Sequence, residues 1–143
     1  MSTEWTEISV FWKGDTAFVG HASNGGTVQM GLLDGNPGVG PMQLLLVALA
    51  GCTGVDVLSI LHKKRYKLED MRLEISGRKA DDYPMIWKEI KVKYLIWGDG
   101  ILVKDVEQAI QLSEEKYCGV FATLKKAIEI TSDFEITETK ETA

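Results

Sequence analysis

The sequence predicts an α+β fold, and three observations lead to that reading. The stretches 8–33 and 68–97 alternate apolar and polar residues with a period near two, as half-buried strands do. The stretches 41–62 and 103–130 lack that period and are long enough for helices. The order is therefore strands, helix, hairpin, helix and a last strand. It suits an antiparallel sheet with two helices packed on one side.

In the first segment Ile8, Val10 and Trp12 alternate imperfectly with Ser9 and Phe11. Lys13-Gly14-Asp15 reads as a turn into a strand at Ala17-Phe18-Val19. Asn24-Gly25-Gly26 tolerates positive φ and predicts the next turn, after which Thr27 to Leu33 returns as a third strand. Residues 34–40 read as a loop. Pro41, whose missing N–H costs nothing at a helix start, opens the first helix.

That helix, PMQLLLVALAGCTGVDVLSILH, is apolar on every face of its first half. It is expected to be buried almost all round, at the centre of a domain or of a dimer. It is long enough to span a bilayer, but Gln43, Thr53, Asp56 and Ser59 interrupt it, and an Asp in hydrocarbon is costly. Gly51 and Gly54 each weaken a helix by ~1 kcal/mol against Ala and suggest close approach by another backbone.

The hairpin follows. Met71, Leu73 and Ile75 alternate with Arg72, Glu74 and Ser76, then Asp81-Asp82-Tyr83-Pro84 turns the chain. Ile90, Val92, Tyr94 and Ile96 alternate with Glu89, Lys91, Lys93 and Leu95. In the second helix Val106, Ile110, Ser113, Tyr117, Val120, Leu124 and Ala127 keep three- and four-residue steps, and Cys118-Gly119 is placed to bend or divide it. A strand at Phe134 to Thr137 closes the fold, and the polar tail beyond is expected to fray. The tryptophans at 5, 12, 87 and 97 all fall on strand segments, as core or interface residues would.

At 143 residues the chain fits a single domain, 1–143. A net charge of −5 would repel a phosphate backbone. The compact basic group His62-Lys63-Lys64-Arg65 suits a helix end, so no nucleic-acid partner is expected. Met1 to Trp5 is acidic and leads into no apolar run, which argues for a cytoplasmic protein with no membrane partner. Two cysteines make no disulfide scaffold, and in a reducing compartment they stay as free or redox-active thiols. His21 and His62 stand apart from the cysteines and the glycine-rich loops lack a lysine, so no metal and no cofactor is expected.

Chemistry then rests on Cys52 and Cys118. Each can be an inert small hydrophobe, or one can attack as a thiolate and the other resolve it, provided the two helices cross. Asp56 shares the helix face of Cys52, where a carboxylate disfavours a thiolate unless a cation intervenes; its alternative place is to cap or pair with a group from the hairpin.

The stretch Pro41-Met42-Gln43-Leu44-Leu45-Leu46-Val47-Ala48-Leu49-Ala50-Gly51-Cys52 resembles the central-helix signature of the OsmC/Ohr superfamily. Glu115-Lys116-Tyr117-Cys118-Gly119-Val120 with Leu124 resembles its second signature. Asp56 to Leu61 and Ser113 to Cys118 look most like the YhfA-type branch of that superfamily. The resemblance implies an OsmC-like fold, an antiparallel sheet wrapped around long central helices in an intertwined homodimer. It also implies thiol-dependent reduction of organic hydroperoxides, with Cys52 as peroxidatic and Cys118 as resolving thiol, recharged by an external dithiol. The alternatives it leaves are a binder of an apolar ligand at the dimer interface, or a thiol redox sensor. Leu45, Leu46, Leu49 and Val55 around Cys52 favour an apolar peroxide. The family's active members pair the thiol with an early arginine and a glutamate. Here no arginine precedes Arg65 and the glutamate position is Gln43, so Gln43 and Asp56 are the supporting candidates, with Arg65, Arg72 and Arg78 as possible cations.

Overall fold

A computed structural model describes residues 4–138. The tail expected to fray lies, from residue 139 on, outside the described residues. The chain divides into two compact units between Leu45 and Leu46.

The first unit holds an antiparallel meander of β1 (Ile8–Trp12), β2 (Phe18–Ala22) and β3 (Thr27–Met30), in that order. Asn24 shapes the second turn by accepting the Gly26 N–H on its side-chain oxygen at 2.9 Å. The expected third strand stops early. Gly31 takes a φ of +79°, and a Cβ there would stand 2.6 Å from the Thr16 carbonyl oxygen. Beyond it, β4 (Leu32–Leu33) and β5 (Asn36–Pro37) form a short antiparallel pair inside the expected loop. The Gln29 side-chain amide ties this pair down by donating to the Gly31 and Asn36 carbonyls. Trp5 lies outside any strand and is fully solvent-facing.

Helix α1 (Pro41–Lys63) runs across the division. Gln43 accepts the Gly40 N–H at 2.9 Å, satisfying an orphan donor as the return arm of a capping box does. The helix is not buried all round. Leu49, Thr53, Val57 and Leu61 form a fully buried ladder, whereas Val47, Gly51, Val55 and Ser59 on the opposite side are exposed. A pattern that is apolar on all faces says how much surface wants cover, not whether one chain supplies it. Neither glycine meets a backbone: Gly51 faces open space, and Gly54 is met by the Leu73 side chain at 3.3 Å. By length and composition α1 is long and apolar enough to cross a membrane, and 28% of its most apolar stretch is buried in this chain.

The second unit contains β6 (Asp70–Lys79) and β7 (Trp87–Trp97), paired antiparallel from Asp70↔Trp97 to Lys79↔Trp87. Ile90, Val92, Tyr94 and Ile96 are all at most 2% exposed, as their alternation predicts. The last strand, β8 (Glu129–Thr137), runs parallel to β7, so this sheet is mixed and not antiparallel. A parallel partner needs a crossover connection, which the second helical segment supplies. That segment is shorter than its periodicity implies: α2 (Val103–Leu112), a π-turn at Ser113–Tyr117, and α3 (Gly119–Leu124). The Ala127 and Ile128 N–H groups both close back on the Leu124 carbonyl, which ends the helix and lets β8 begin early.

Candidate functional site

The break between α2 and α3 builds the site. In the π-turn the Cys118 N–H reaches the Ser113 carbonyl at 2.7 Å, one residue further back than an α-helix would place it. Cys118 leaves the turn with extended backbone (φ −80°, ψ 105°) and caps α3, its sulfur accepting the Phe121 N–H at 3.2 Å. Its thiol therefore points back toward α1.

There it meets Cys52. The Cys52 and Cys118 sulfurs and a carboxylate oxygen of Asp56 all lie within 4.8 Å of one another, with both cysteines free. Cys118 is 3% exposed, and Cys52 and Asp56 are half-buried. Burial pushes the Cys118 thiol up to about 12, and a hydrogen bond with Cys52 adds to the rise. At neutral pH Cys118 is a protonated thiol.

Asp56 does not pair with the hairpin as expected. Its Oδ2 accepts from the Ser113 hydroxyl at 2.9 Å, and Ser113 is fully buried. Ser113 thus holds Cys118 by its carbonyl and Asp56 by its side chain. From the sheet, the buried hydroxyl of Tyr94 lies within electrostatic reach of Cys118 and Asp56 and has no hydrogen bond of ordinary geometry. Desolvation pushes the Tyr94 phenol up to about 12, against a smaller opposing influence of the Thr53 hydroxyl. Thr53 spends its own proton on the Leu49 carbonyl at 3.0 Å.

Beside Asp56 opens a groove of about 390 Å³, whose lining includes Asp56, Ser59, Ile60, Lys63, Lys64 and Tyr117. Among the described residues the two thiols and Asp56 are the one cluster of this kind close enough to share a metal ion. A tetrahedral ion would draw the sulfurs to about 3.8 Å and require both as thiolates. In the metal-free chain the cluster is a pair of thiols beside a carboxylate, with burial opposing ionisation of Cys118.

Of the sequence-predicted residues, Cys52, Cys118 and Asp56 come together, while Gln43 serves as a helix cap. Two of the three candidate arginines have other partners. Arg72 lies over the Trp97 ring at 5.0 Å and 3.4 Å from Asp70, and Arg78 pairs with Glu89 at 3.0 Å. Ser113 and Tyr94 were missed as site residues. The signal for Ser113 was present, since it is the polar member of an otherwise apolar helical stripe.

Fold and site together define a small α+β protein with a paired-thiol centre. Residues 34–133 match the family model described as OsmC-like protein. Protein YhfA of Escherichia coli strain K12 is 32% identical over 133 residues, covering 91% of this chain and 97% of its own. A hypothetical protein of Aquifex aeolicus VF5 superposes with a TM-score of 0.85 at 33% identity, covering 96% of this chain and 100% of that one. The organic hydroperoxide resistance protein OsmC of Legionella pneumophila, at 12% identity and a TM-score of 0.67 over 94% of this chain and 99% of its own, shares the fold. The chain belongs to the OsmC/Ohr superfamily and is similar to its YhfA-type members.

Proposed function

We propose that this protein is a thiol-dependent peroxidase that reduces organic hydroperoxides to alcohols, as a cytoplasmic homodimer of one-domain chains served by a dithiol reductant. The observation that carries the reading is the pair of free thiols on α1 and at the α2–α3 break, one half-buried and one buried. Exposure orders their roles. Cys52, as thiolate, attacks the distal peroxide oxygen; the S–O bond forms, the O–O bond breaks, and the alkoxide takes a proton to leave as alcohol. Cys118 then displaces hydroxide from the Cys52 sulfenic acid, giving a disulfide and water, and two electrons from the dithiol restore both thiols.

The dimer is supported by the exposed seam of Val47, Gly51 and Val55, with the two valines 54% and 63% exposed, and by Ile8, Val10 and Trp12 on β1. A second copy of the chain is the partner that such exposed apolar side chains suit best.

Anaerobic addition of one equivalent of an organic hydroperoxide to the reduced protein tests the cycle. Within seconds the intact mass should fall by two protons and both free thiols should vanish, and Cys52→Ser should abolish the change. No change over many minutes in a folded protein would sink the reading. The groove beside Asp56 supports a second one, in which the chain binds an apolar ligand. Binding that survives Cys52→Ser and Cys118→Ser would favour that alternative.

A further inference from the structure

Closing the Cys52–Cys118 disulfide demands a proton transfer that the two thiols cannot perform alone. As the Cys118 sulfur bonds to the Cys52 sulfur, its own proton must leave. As the Cys52 S–O bond breaks, the departing hydroxide must gain one to become water. Burial keeps Cys118 protonated, so waiting for a free thiolate would make this step slow.

Among the described carboxylates and imidazoles, Asp56 alone lies within 4.8 Å of both sulfurs. Its orientation is built: the fully buried Ser113 donates to Asp56 Oδ2 at 2.9 Å while its carbonyl takes the Cys118 N–H at 2.7 Å. One residue thus sets acid and resolving thiol against each other across two elements. The groove lined by Asp56 gives that carboxylate a way to exchange protons with water.

We propose that Asp56 is the proton carrier of the resolving step, taking the Cys118 proton as the S–S bond forms and delivering it to the leaving hydroxide, with Ser113 as its positioning residue. The carboxylate ends as it began, and the step releases only water. The inference deepens the peroxidase reading and rests on its assignment of Cys118 as the resolving thiol. Around Asp56 stand Cys52 and Cys118, the groove-lining Lys63, Lys64 and Tyr117, and Tyr94 from β7, on which Glu114 also acts. Ammonium groups, thiols and phenols are proton donors by type and a carboxylate is an acceptor, so Asp56 is the base this cluster offers.

The test needs no peroxide. One equivalent of dithiobis(nitrobenzoate) caps the half-buried Cys52 as a mixed disulfide and releases one coloured thiolate. Attack by Cys118 then releases a second, and Cys118→Ser marks the background. In the Asp56→Asn variant the second release should slow by about 10- to 100-fold at neutral pH, the scale of a lost general base. It should also become proportional to hydroxide concentration, while the wild-type rate changes far less with pH. Ser113→Ala should slow release by a smaller factor and keep the wild-type pH shape, and Asp56→Glu should recover part of the rate.

A carboxylate acting only through its charge gives the opposite sign, because removing it eases thiolate formation. An unchanged or faster Asp56→Asn variant would therefore overturn the proposal, as would a wild type that never makes the second release. Circular dichroism checks folding, and if Asp56→Asn does not fold, an unchanged Ser113→Ala rate overturns it instead. A protein inert to peroxides that still shows the predicted release pattern would remove the peroxidase reading and leave the proton role standing.

Discussion

The two three-stranded sheets of this chain are built from similar residues and end in opposite states. In β6–β8 the central strand buries Ile90, Val92, Tyr94 and Ile96 almost completely, and the hairpin alternates as a half-wet sheet should. In β1–β3 all five residues of the first strand are exposed, with Trp12 at 66% and Ile8 at 59%. The difference is repeated on α1, where the Leu49–Thr53–Val57–Leu61 ladder is sealed and the Val47–Gly51–Val55 ladder is open. One set of apolar surfaces is completed within a chain. The other has the composition of a core and the exposure of an interface.

The largest expected effect lies in the sealed region. Leu61 is fully buried, so Leu61→Ala should cost about 2–5 kcal/mol in urea denaturation. Val10→Ala on β1, measured in dilute protein, should cost under about 0.5 kcal/mol. Equal costs would erase the contrast. The open region should instead answer to concentration. Val55→Asp places a charge in the exposed seam and should weaken self-association at least about tenfold by sedimentation equilibrium, or about 1.4 kcal/mol. A wild type that stays monomeric at every concentration would show that the seam has another purpose.

The two helix glycines sharpen the comparison at smaller scale. Gly51→Ala adds a methyl to open space and should stabilise the dilute chain by up to about 1 kcal/mol, the ordinary helix-propensity gain. Gly54→Ala should gain less or lose, because its methyl meets the Leu73 side chain at 3.3 Å, closer than comfortable packing. If Gly51→Ala also weakens self-association, a second chain approaches the helix there.

Period-two alternation gave the buried Ile90, Val92, Tyr94 and Ile96 of β7 correctly, while the buried Trp87 at the start of the strand falls out of phase with it. The pairing of Cys52 with Cys118 was legible only through the family signatures, since helix crossing leaves no trace in local spacing. The direction of β8 was not legible, because Ile130, Phe134 and Ile136 alternate identically in either direction. The helical step of Leu124 and Ala127 predicts a second helix running on to Ile130, whereas backbone closure onto Leu124 ends it. On sequence alone Asp56 is a hindrance to a thiolate. Its partner Ser113 lies 57 residues away in sequence, so nothing local revealed the contact that orients it.

Tyr94 gives the smallest effect at neutral pH and the most specific signature. It is fully buried in the sealed sheet, and its hydroxyl is the one buried side-chain N or O atom among the described residues without a hydrogen-bond partner. Removing an unsatisfied hydroxyl of nearly the same shape should be close to neutral or slightly stabilising, so Tyr94→Phe should unfold at about the wild-type urea midpoint near pH 7. Alkaline pH separates them. The folded phenol is raised from 10.0 to about 12, so the unfolded wild type loses its proton first and is stabilised relative to the folded state across that window. Stability that Tyr94 keeps below its unfolded pKa is lost as pH rises toward the folded one, and phenylalanine has nothing to lose. By pH 12, where the folded phenol is half ionised, the wild type should trail Tyr94→Phe by roughly 2 kcal/mol. Parallel curves for the two proteins through that range would mean that the hydroxyl finds a partner or water in solution, and that the sheet beneath the thiols is less sealed than its burial implies.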